Sequence, residues 1–182
     1  MMKLLKNAVF VFVVVMFAGC AHPIVITPDI AKIEADGKLP RIEKNVGLYV
    51  NPQSRTATVT SPGGGGDSVS YKPYQDIETA FFKILSNVFR NVAVLAEQND
   101  TAAISKNNLS YIVTPVISTN SSSPSPFTWP PTLFQVILKT NVTDISGNTV
   151  SGITVTGEGR AEFEEFKADF SLAGKRATLD AI

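Results

Sequence analysis

The residues of this sequence that could do chemistry are few. It holds one cysteine, Cys20, and one histidine, His22, both at the end of an apolar N-terminal run. A Ser–His–Asp or Cys–His arrangement needs a histidine inside the folded domain. A metal centre of Cys and His ligands needs further residues of these types. We therefore predict no catalytic residue, no metal site and no cofactor, and a protein that is not an enzyme.

Two further patterns invite a chemical reading. Glu164 and Glu165 are adjacent in the sequence, which is typical of a solvated face. Two carboxylates far apart in the sequence, as glycosidases use, stay open as an alternative. The glycines at 63–66 precede Asp67-Ser68 rather than Gly-Lys-Ser/Thr, and a carboxylate would repel a phosphate. They indicate a loop between two strands.

The N-terminus has the pattern of a secretory signal peptide. Residues 1–7 carry Lys3 and Lys6 without an acid, and Ala8 to Ala18 is an uncharged apolar run. Eleven helical residues rise only about 16 Å, whereas a hydrocarbon core is about 30 Å thick. A signal peptide is therefore favoured over a transmembrane helix.

The end of this run resembles the lipobox of bacterial lipoproteins. Phe17-Ala18-Gly19-Cys20 places small residues before a cysteine, although Phe17 stands where the family usually has Leu. The resemblance implies that Cys20 is lipidated, becomes the first mature residue and anchors the chain in the membrane. Ala21 in place of Asp implies sorting to the outer membrane, with the domain facing the periplasm. The alternative is a buried apolar thiol.

Composition and patterning divide the chain into three parts: a signal peptide (1–19), the lipidated cysteine with a tether (20–44), and one domain (45–182). The tether, with a possible short strand at Ile24–Ile26, is predicted because prolines interrupt a mixed segment without a sustained period. Its alternative is a strand that orders on binding a partner. Loss of residues 1–19 removes two lysines from a balance of 16 basic and 16 acidic residues, leaving −2. The sequence shows no concentrated basic face of the kind that binds nucleic acid, so we predict no nucleic-acid partner.

The domain is predicted to be α+β, a mainly antiparallel sheet packed against one long amphipathic helix, with a possible short C-terminal helix. The helix is indicated by apolar residues three and four apart after Pro73: Ile77, Ala80, Phe81, Ile84, Leu85 and Val88. Phe163, Phe166 and Phe170 have helical spacing near the C-terminus. Strands are predicted at 45–50, 91–97, 109–119, 132–145 and 149–163.

A Ser/Pro-rich segment, residues 120–131, separates two of these strands and carries Phe127 and Trp129. Its prolines oppose both helix and sheet. An aromatic pair on a polar loop is typical of a recognition loop, because aromatic residues supply much interface energy. Phe127 and Trp129 are therefore candidate partner-binding residues. The alternative is that both rings fold back over one end of the core.

The order of elements, the lipobox and the "VTDISGNTV" hairpin resemble small outer-membrane accessory lipoproteins of the lipopolysaccharide-assembly and transport-auxiliary type. The resemblance implies a non-catalytic subunit with protein partners in an envelope complex, such as a secretion, transport or flagellar machine. The second hypothesis is a carrier that holds a lipid or another apolar ligand between sheet and helix. A carrier should enclose a cavity, whereas a subunit should expose an apolar patch or an unpaired strand edge.

Overall fold

The computed structural model describes residues 21–33, 40–125 and 129–182. These ranges form eight strands, five α-helices and a 3-10 turn at Ile30–Lys32. The strands are β1 (His22–Pro23), β2 (Ile42–Tyr49), β3 (Val59–Pro62), β4 (Ser68–Tyr71), β5 (Phe89–Leu95), β6 (Tyr111–Ser122), β7 (Leu133–Asp144) and β8 (Thr149–Arg160). The helices are α1 (Pro52–Thr56), α2 (Pro73–Val88), α3 (Thr101–Lys106), α4 (Phe163–Phe166) and α5 (Leu172–Ala181).

The strands form two mixed sheets. The larger has the order β5-β2-β6-β7-β8 and the smaller the order β1-β4-β3. The predicted α+β class is confirmed. The sheets are mixed rather than purely antiparallel, because β2 pairs in parallel with both β5 and β6 and β1 pairs in parallel with β4. Parallel neighbours need a crossover connection, usually a helix, and α2 and α3 lie in the connections that lead into β5 and β6.

Two helices cover the main face of the large sheet, and the second is at the C-terminus, where a short helix was considered. Helix α2 begins with Pro73 in its first turn and buries Ile77, Phe81 and Leu85. These side chains pack with Val46, Leu48 and Val113 of the central strands in the main core. On α2, Val88 is exposed, so the buried stripe ends at Leu85. Helix α5 covers β7 and β8.

Glycines on β8 let α5 approach closely. A Cβ on Gly157 would lie 2.2 Å from the Ala177 carbonyl oxygen, and one on Gly159 would lie 2.0 Å from that of Ala173. A side chain at either position would therefore displace the helix. The small residues of α5 and these two glycines together make a contact between backbones.

The N-terminal segment is part of the fold, so the predicted tether over residues 20–44 is wrong for its described part. His22 and Pro23 pair with Val69 and Ser70 of β4. Ile24, Ile26 and Ile33 are buried in the domain. Ile24 and Ile26 are buried because alternate residues of an extended segment face inward. The sequence does not show this alternation clearly, because it covers only about five residues. Ile42–Tyr49 is a strand, so the folded domain that was predicted to begin at residue 45 includes residues before it.

A carboxylate fixes the N-terminal segment to α2. The Ile26 amide donates to Asp76 Oδ2 at 3.1 Å, in the first turn of that helix. Partial burial raises the pKa of Asp76, and the hydrogen bond from Ile26 opposes this rise. The start of α2 and the N-terminal segment are thus held together by a polar contact beside the core.

Candidate functional site

The structure describes only part of the sequence-predicted site. Cys20 and Phe127 lie outside the described residues. Trp129 is described, and it is half-buried against the main core. The two prolines that follow it, Pro130 and Pro131, are buried. Trp129 is therefore the described residue of the predicted site, and its contacts define the candidate site.

Trp129 contacts aromatic rings from two distant parts of the chain. Its ring stacks on His22 with centroids 4.1 Å apart and an interplanar angle of 26°. The Phe170 ring lies 4.9 Å away, tilted by 53°. We call these three residues the aromatic cluster. It joins β1, the segment before β7 and the segment before α5.

The glycine-rich loop between β3 and β4 packs beneath this cluster. The Gly64 amide donates to the Trp129 carbonyl oxygen at 2.9 Å. A Cβ on Gly63 would lie 2.2 Å from the same oxygen, so the close approach requires glycine at 63. At the end of the loop, Asp67 Oδ2 lies 3.6 Å from His22 Nε2. The loop that the sequence predicts between two strands thus supports Trp129 and places a carboxylate beside His22.

The chemistry of the cluster is that of packing. Within residues 21–33, 40–125 and 129–182, no group of three or more His, Cys, Asp and Glu side chains is arranged to hold a metal ion.

Glu165, considered above as half of an acidic pair, accepts two hydrogen bonds from Arg176, at 2.8 and 2.9 Å. These bonds lower the pKa of Glu165 to about 2. Glu164 instead pairs with Lys167 at 3.0 Å.

A second candidate surface is the edge of the large sheet formed by β8. The Glu158 amide donates to Asp180 Oδ2 at 2.9 Å, so its N–H points away from β7. Arg176 donates to the Arg160 carbonyl oxygen at 2.7 Å on the same side. Alternate residues of an antiparallel strand point their backbone groups the same way. Gly152, Thr154 and Thr156 therefore direct their N–H and C=O groups to the open edge.

The N-terminal part of this edge, Thr149–Thr156, contains no charged residue and no proline. We call it the open edge. Ile153 is 57% exposed and Val155 39% exposed on the face that carries α5. The side chains of Asp180 and Arg176 cap the backbone only further along, at Glu158 and Arg160. The sequence analysis assigned this strand but not its position at the sheet edge, which depends on strand order.

The cavities of the described residues differ sharply in size. Between α2 and the sheet, a space lined by Leu48, Ile77 and Phe81 has a volume of about 10 Å³. A surface recess of about 740 Å³ lies at the glycine-rich loop, lined by residues 60–68 and 123–125. The interior space would not hold an acyl chain. No helix in residues 21–33, 40–125 and 129–182 combines the length and apolar character needed to cross a membrane.

Comparison with known proteins assigns no family. No protein family model matches the chain, and no curated protein matches it. Among solved structures, it is similar to protein XCC0632 (DUF330) from Xanthomonas campestris, with 12% sequence identity and a TM-score of 0.48. The match covers 88% of this chain and 90% of that protein.

Proposed function

We propose that this protein is a non-catalytic, lipid-anchored subunit of a bacterial cell-envelope complex. It faces the periplasm from the outer membrane and binds a protein partner through the open edge of β8. The observation that carries the proposal is that edge: eight residues, Thr149–Thr156, at the border of a five-stranded sheet, without a charge or a proline. The anchor rests on the Phe17–Cys20 motif.

Exposed strand edges are normally protected. Natural sheets place lysine, proline, a bulge or a covering element on an edge, because unpaired backbone groups recruit other strands. In β8 the C-terminal part has such cover from Asp180 and Arg176, and the pairing with β7 is irregular at Val150, near the start of the open edge. The regular part of the open edge that follows carries the exposed β-branched apolar side chains of Ile153 and Val155. An edge of this kind is suited to a strand from a partner.

The chemistry of the edge defines the occupant. A partner strand would hydrogen-bond to Gly152, Thr154 and Thr156, whose backbone groups point outward. Its inward side chains would lie beside Ile153 and Val155 on the face that carries α5. A charged side chain there would lose water without gaining an ion pair, since no charge lies on the open edge. The partner segment is therefore extended and uncharged, with apolar residues at every second position.

The same geometry supports a subunit over a carrier. Ligand sites that enclose a small molecule have volumes of about 300–1,000 Å³. The space between α2 and the sheet is about 10 Å³. Holding an apolar ligand there would require separation of α2 from the core, at the cost of the contacts of Ile77, Phe81 and Leu85.

A pair of matched variants tests the proposal. Ile153 is 57% exposed on the open edge, and Val94 is 52% exposed on β5, the opposite edge strand. After cross-linking in intact cells, wild type and Val94→Lys should purify with the same envelope proteins, and Ile153→Lys should lose them. Retention of these proteins by Ile153→Lys would contradict the proposal. Recovery of only a second copy of the chain would also contradict it.

Thr154→Pro is an independent second variant. Proline lacks an N–H group, and the N–H of Thr154 points to the open edge, so pairing with β7 is kept. The variant should lose the partner while its melting temperature stays near that of wild type. A fall in both partner recovery and melting temperature would show that Thr154 matters for folding. The Ile153→Lys variant would then test whether the open edge binds the partner.

A further inference from the structure

We infer that the surface around the aromatic cluster lies against the lipid headgroups of the membrane. This inference rests on the proposed lipid anchor at Cys20. The surface consists of Trp129 and Phe170 with two neighbours from the N-terminal segment, Pro23 and Val25. We call it the membrane face.

The length of chain between anchor and fold carries the argument. His22 is fixed in the fold by its pairing with Val69 and by its stack on Trp129. Cys20 is two residues away, and two residues of chain span at most about 7 Å. A lipidated Cys20 would lie at the membrane surface. No tether is left to separate the domain from the bilayer, so the residues next to His22 must lie at that surface too.

The side chains next to His22 suit such a position. Val25 is 54% exposed and Phe170 is 45% exposed, and Pro23 is also exposed. The segments that carry Val25 and Phe170 are neighbours, since the Val25 amide donates to Oγ of Ser171, the residue after Phe170, at 3.4 Å. Tryptophan is enriched at membrane–water interfaces, where its ring is partly apolar and its N–H is polar.

Asp169, the residue before Phe170, is paired, since its carboxylate lies 2.8 Å from the Lys175 ammonium. Asp67 Oδ2 lies 3.6 Å from His22 Nε2. Paired carboxylates repel a lipid surface less than isolated ones do. The bilayer outside its hydrocarbon core adds only about 5–8 Å per leaflet. His22, within about 7 Å of the anchor along the chain, can therefore reach the headgroup layer, and Trp129 stacks on it.

The inference also orients the domain. Trp129 precedes β7, and the hairpin between β7 and β8 is at the other end of that strand. A strand of 12 residues is about 40 Å long. With β7 along the membrane normal, the hairpin would project into the periplasm. The open edge, which follows this hairpin, would be held away from the bilayer where a partner can reach it.

The fluorescence of Trp129 provides the test, since it is the only tryptophan in the sequence. The full mature lipoprotein is purified from membranes and reconstituted into vesicles of phosphatidylethanolamine and phosphatidylglycerol, with or without brominated acyl chains. Brominated vesicles should remove most of the Trp129 emission. In the double variant Trp129→Phe/Ile145→Trp, emission should be unaffected, because Ile145 is 55% exposed at the far hairpin. The double variant Val25→Ser/Phe170→Ser should lose part of the quenching while it keeps its lipid.

The intact mass of the same sample tests the lipid anchor separately from the membrane face. Unquenched Trp129 in protein whose mass includes the lipid would overturn the membrane face and leave the anchor intact. Protein without a lipid on Cys20 would overturn both. Equal quenching at positions 129 and 145 would overturn the orientation of the domain, and with it the membrane face.

Discussion

The imidazole ring of His22 stacks on the indole ring of Trp129, with ring centroids 4.1 Å apart. This contact joins the first described strand to the segment that precedes β7. The residue that sequence analysis placed on a recognition loop thus contacts the N-terminal segment. Trp129 makes a further ring contact with Phe170, so it links three segments that are far apart in the sequence.

Replacing Trp129 should therefore destabilise the fold. Trp129→Ala removes both ring contacts and part of the apolar surface of the core, and we expect the free energy of unfolding to fall by about 1–3 kcal/mol. Trp129→Phe keeps an aromatic ring and should lose less. Urea unfolding of a soluble form lacking residues 1–20 measures both. An unchanged midpoint for Trp129→Ala would mean that the cluster contributes nothing to stability.

The glycine contact between β8 and α5 gives a second prediction. Gly157→Ala places a methyl group 2.2 Å from the Ala177 carbonyl oxygen, so the helix must shift. We expect a loss of about 1–3 kcal/mol in the free energy of unfolding. Gly152→Ala is the matched control on the same strand, since its nearest atom beyond its chain neighbours is 3.9 Å away. Thermal unfolding should distinguish the two, and equal melting temperatures would refute the close approach of α5.

A buried hydroxyl network between the two sheets gives a third prediction. Tyr71 Oη lies 2.7 Å from Thr119 Oγ1 and 3.1 Å from Ser61 Oγ, and Ser61 Oγ lies 2.6 Å from Ser121 Oγ. Tyr71→Phe leaves buried hydroxyl groups with fewer partners, at a cost of about 1–3 kcal/mol. A double-mutant cycle with Ser121→Ala should give a non-zero coupling energy. Strict additivity of the two changes would show that the hydroxyls act independently.

The ion pair of Glu165 and Arg176 predicts a pH dependence. The pKa of Glu165 is about 2 in the fold, below its ordinary value of 4.5, because Arg176 hydrogen-bonds to the carboxylate. A lowered pKa means that the folded state favours the charged form. The resulting stability is present above pH 4.5 and is lost as the pH falls through 2. The free energy of unfolding should depend less steeply on pH in this window for Glu165→Gln and for Arg176→Met. An acid slope identical to that of wild type in both variants would be inconsistent with the pair.

Patterns carried by contiguous residues predicted most of the individual elements. The alternation in 132–145 and the turn residues Ser146-Gly147-Asn148 predicted a strand and a hairpin, and β7 and β8 form that hairpin. The spacing of apolar residues after Pro73 predicted a helix, and α2 covers Pro73–Val88. These signals are local, because burial of one face imposes its period on a single segment.

Features that depend on pairing between distant segments were missed. The parallel placement of β2 between β5 and β6 follows from helical crossovers and leaves no local pattern. The sequence predicts at most a short strand at Ile24–Ile26 within a tether, yet Ile24 and Ile26 are buried beside β4 and α2. Glycine disfavours a helix, yet Gly174 lies within α5. A Cβ there would lie 2.4 Å from the Ile26 side chain, so glycine makes room for the N-terminal segment.

The candidate site follows the same division. Trp129 stood out by its residue type, whereas its contacts with His22 and Phe170 arise only when three distant segments meet. The open edge of β8 was not predicted for a related reason. An edge strand and a central strand can have similar sequences, and only the strand order distinguishes them. A strand of β-branched residues without charges, such as Thr149–Thr156, is the signal that could have raised the question.

The central claim is that the mature chain begins at Cys20 with a lipid on its sulfur. The most direct measurement is the intact mass of the protein purified from bacterial membranes, with fragmentation of its N-terminal peptide. The account predicts a chain that starts at Cys20 and carries a diacylglyceryl group, and a Cys20→Ser variant that is unmodified and absent from the membrane. A wild-type chain that retains residues 1–19, or a Cys20→Ser variant that stays in the membrane with an attached lipid, would contradict it.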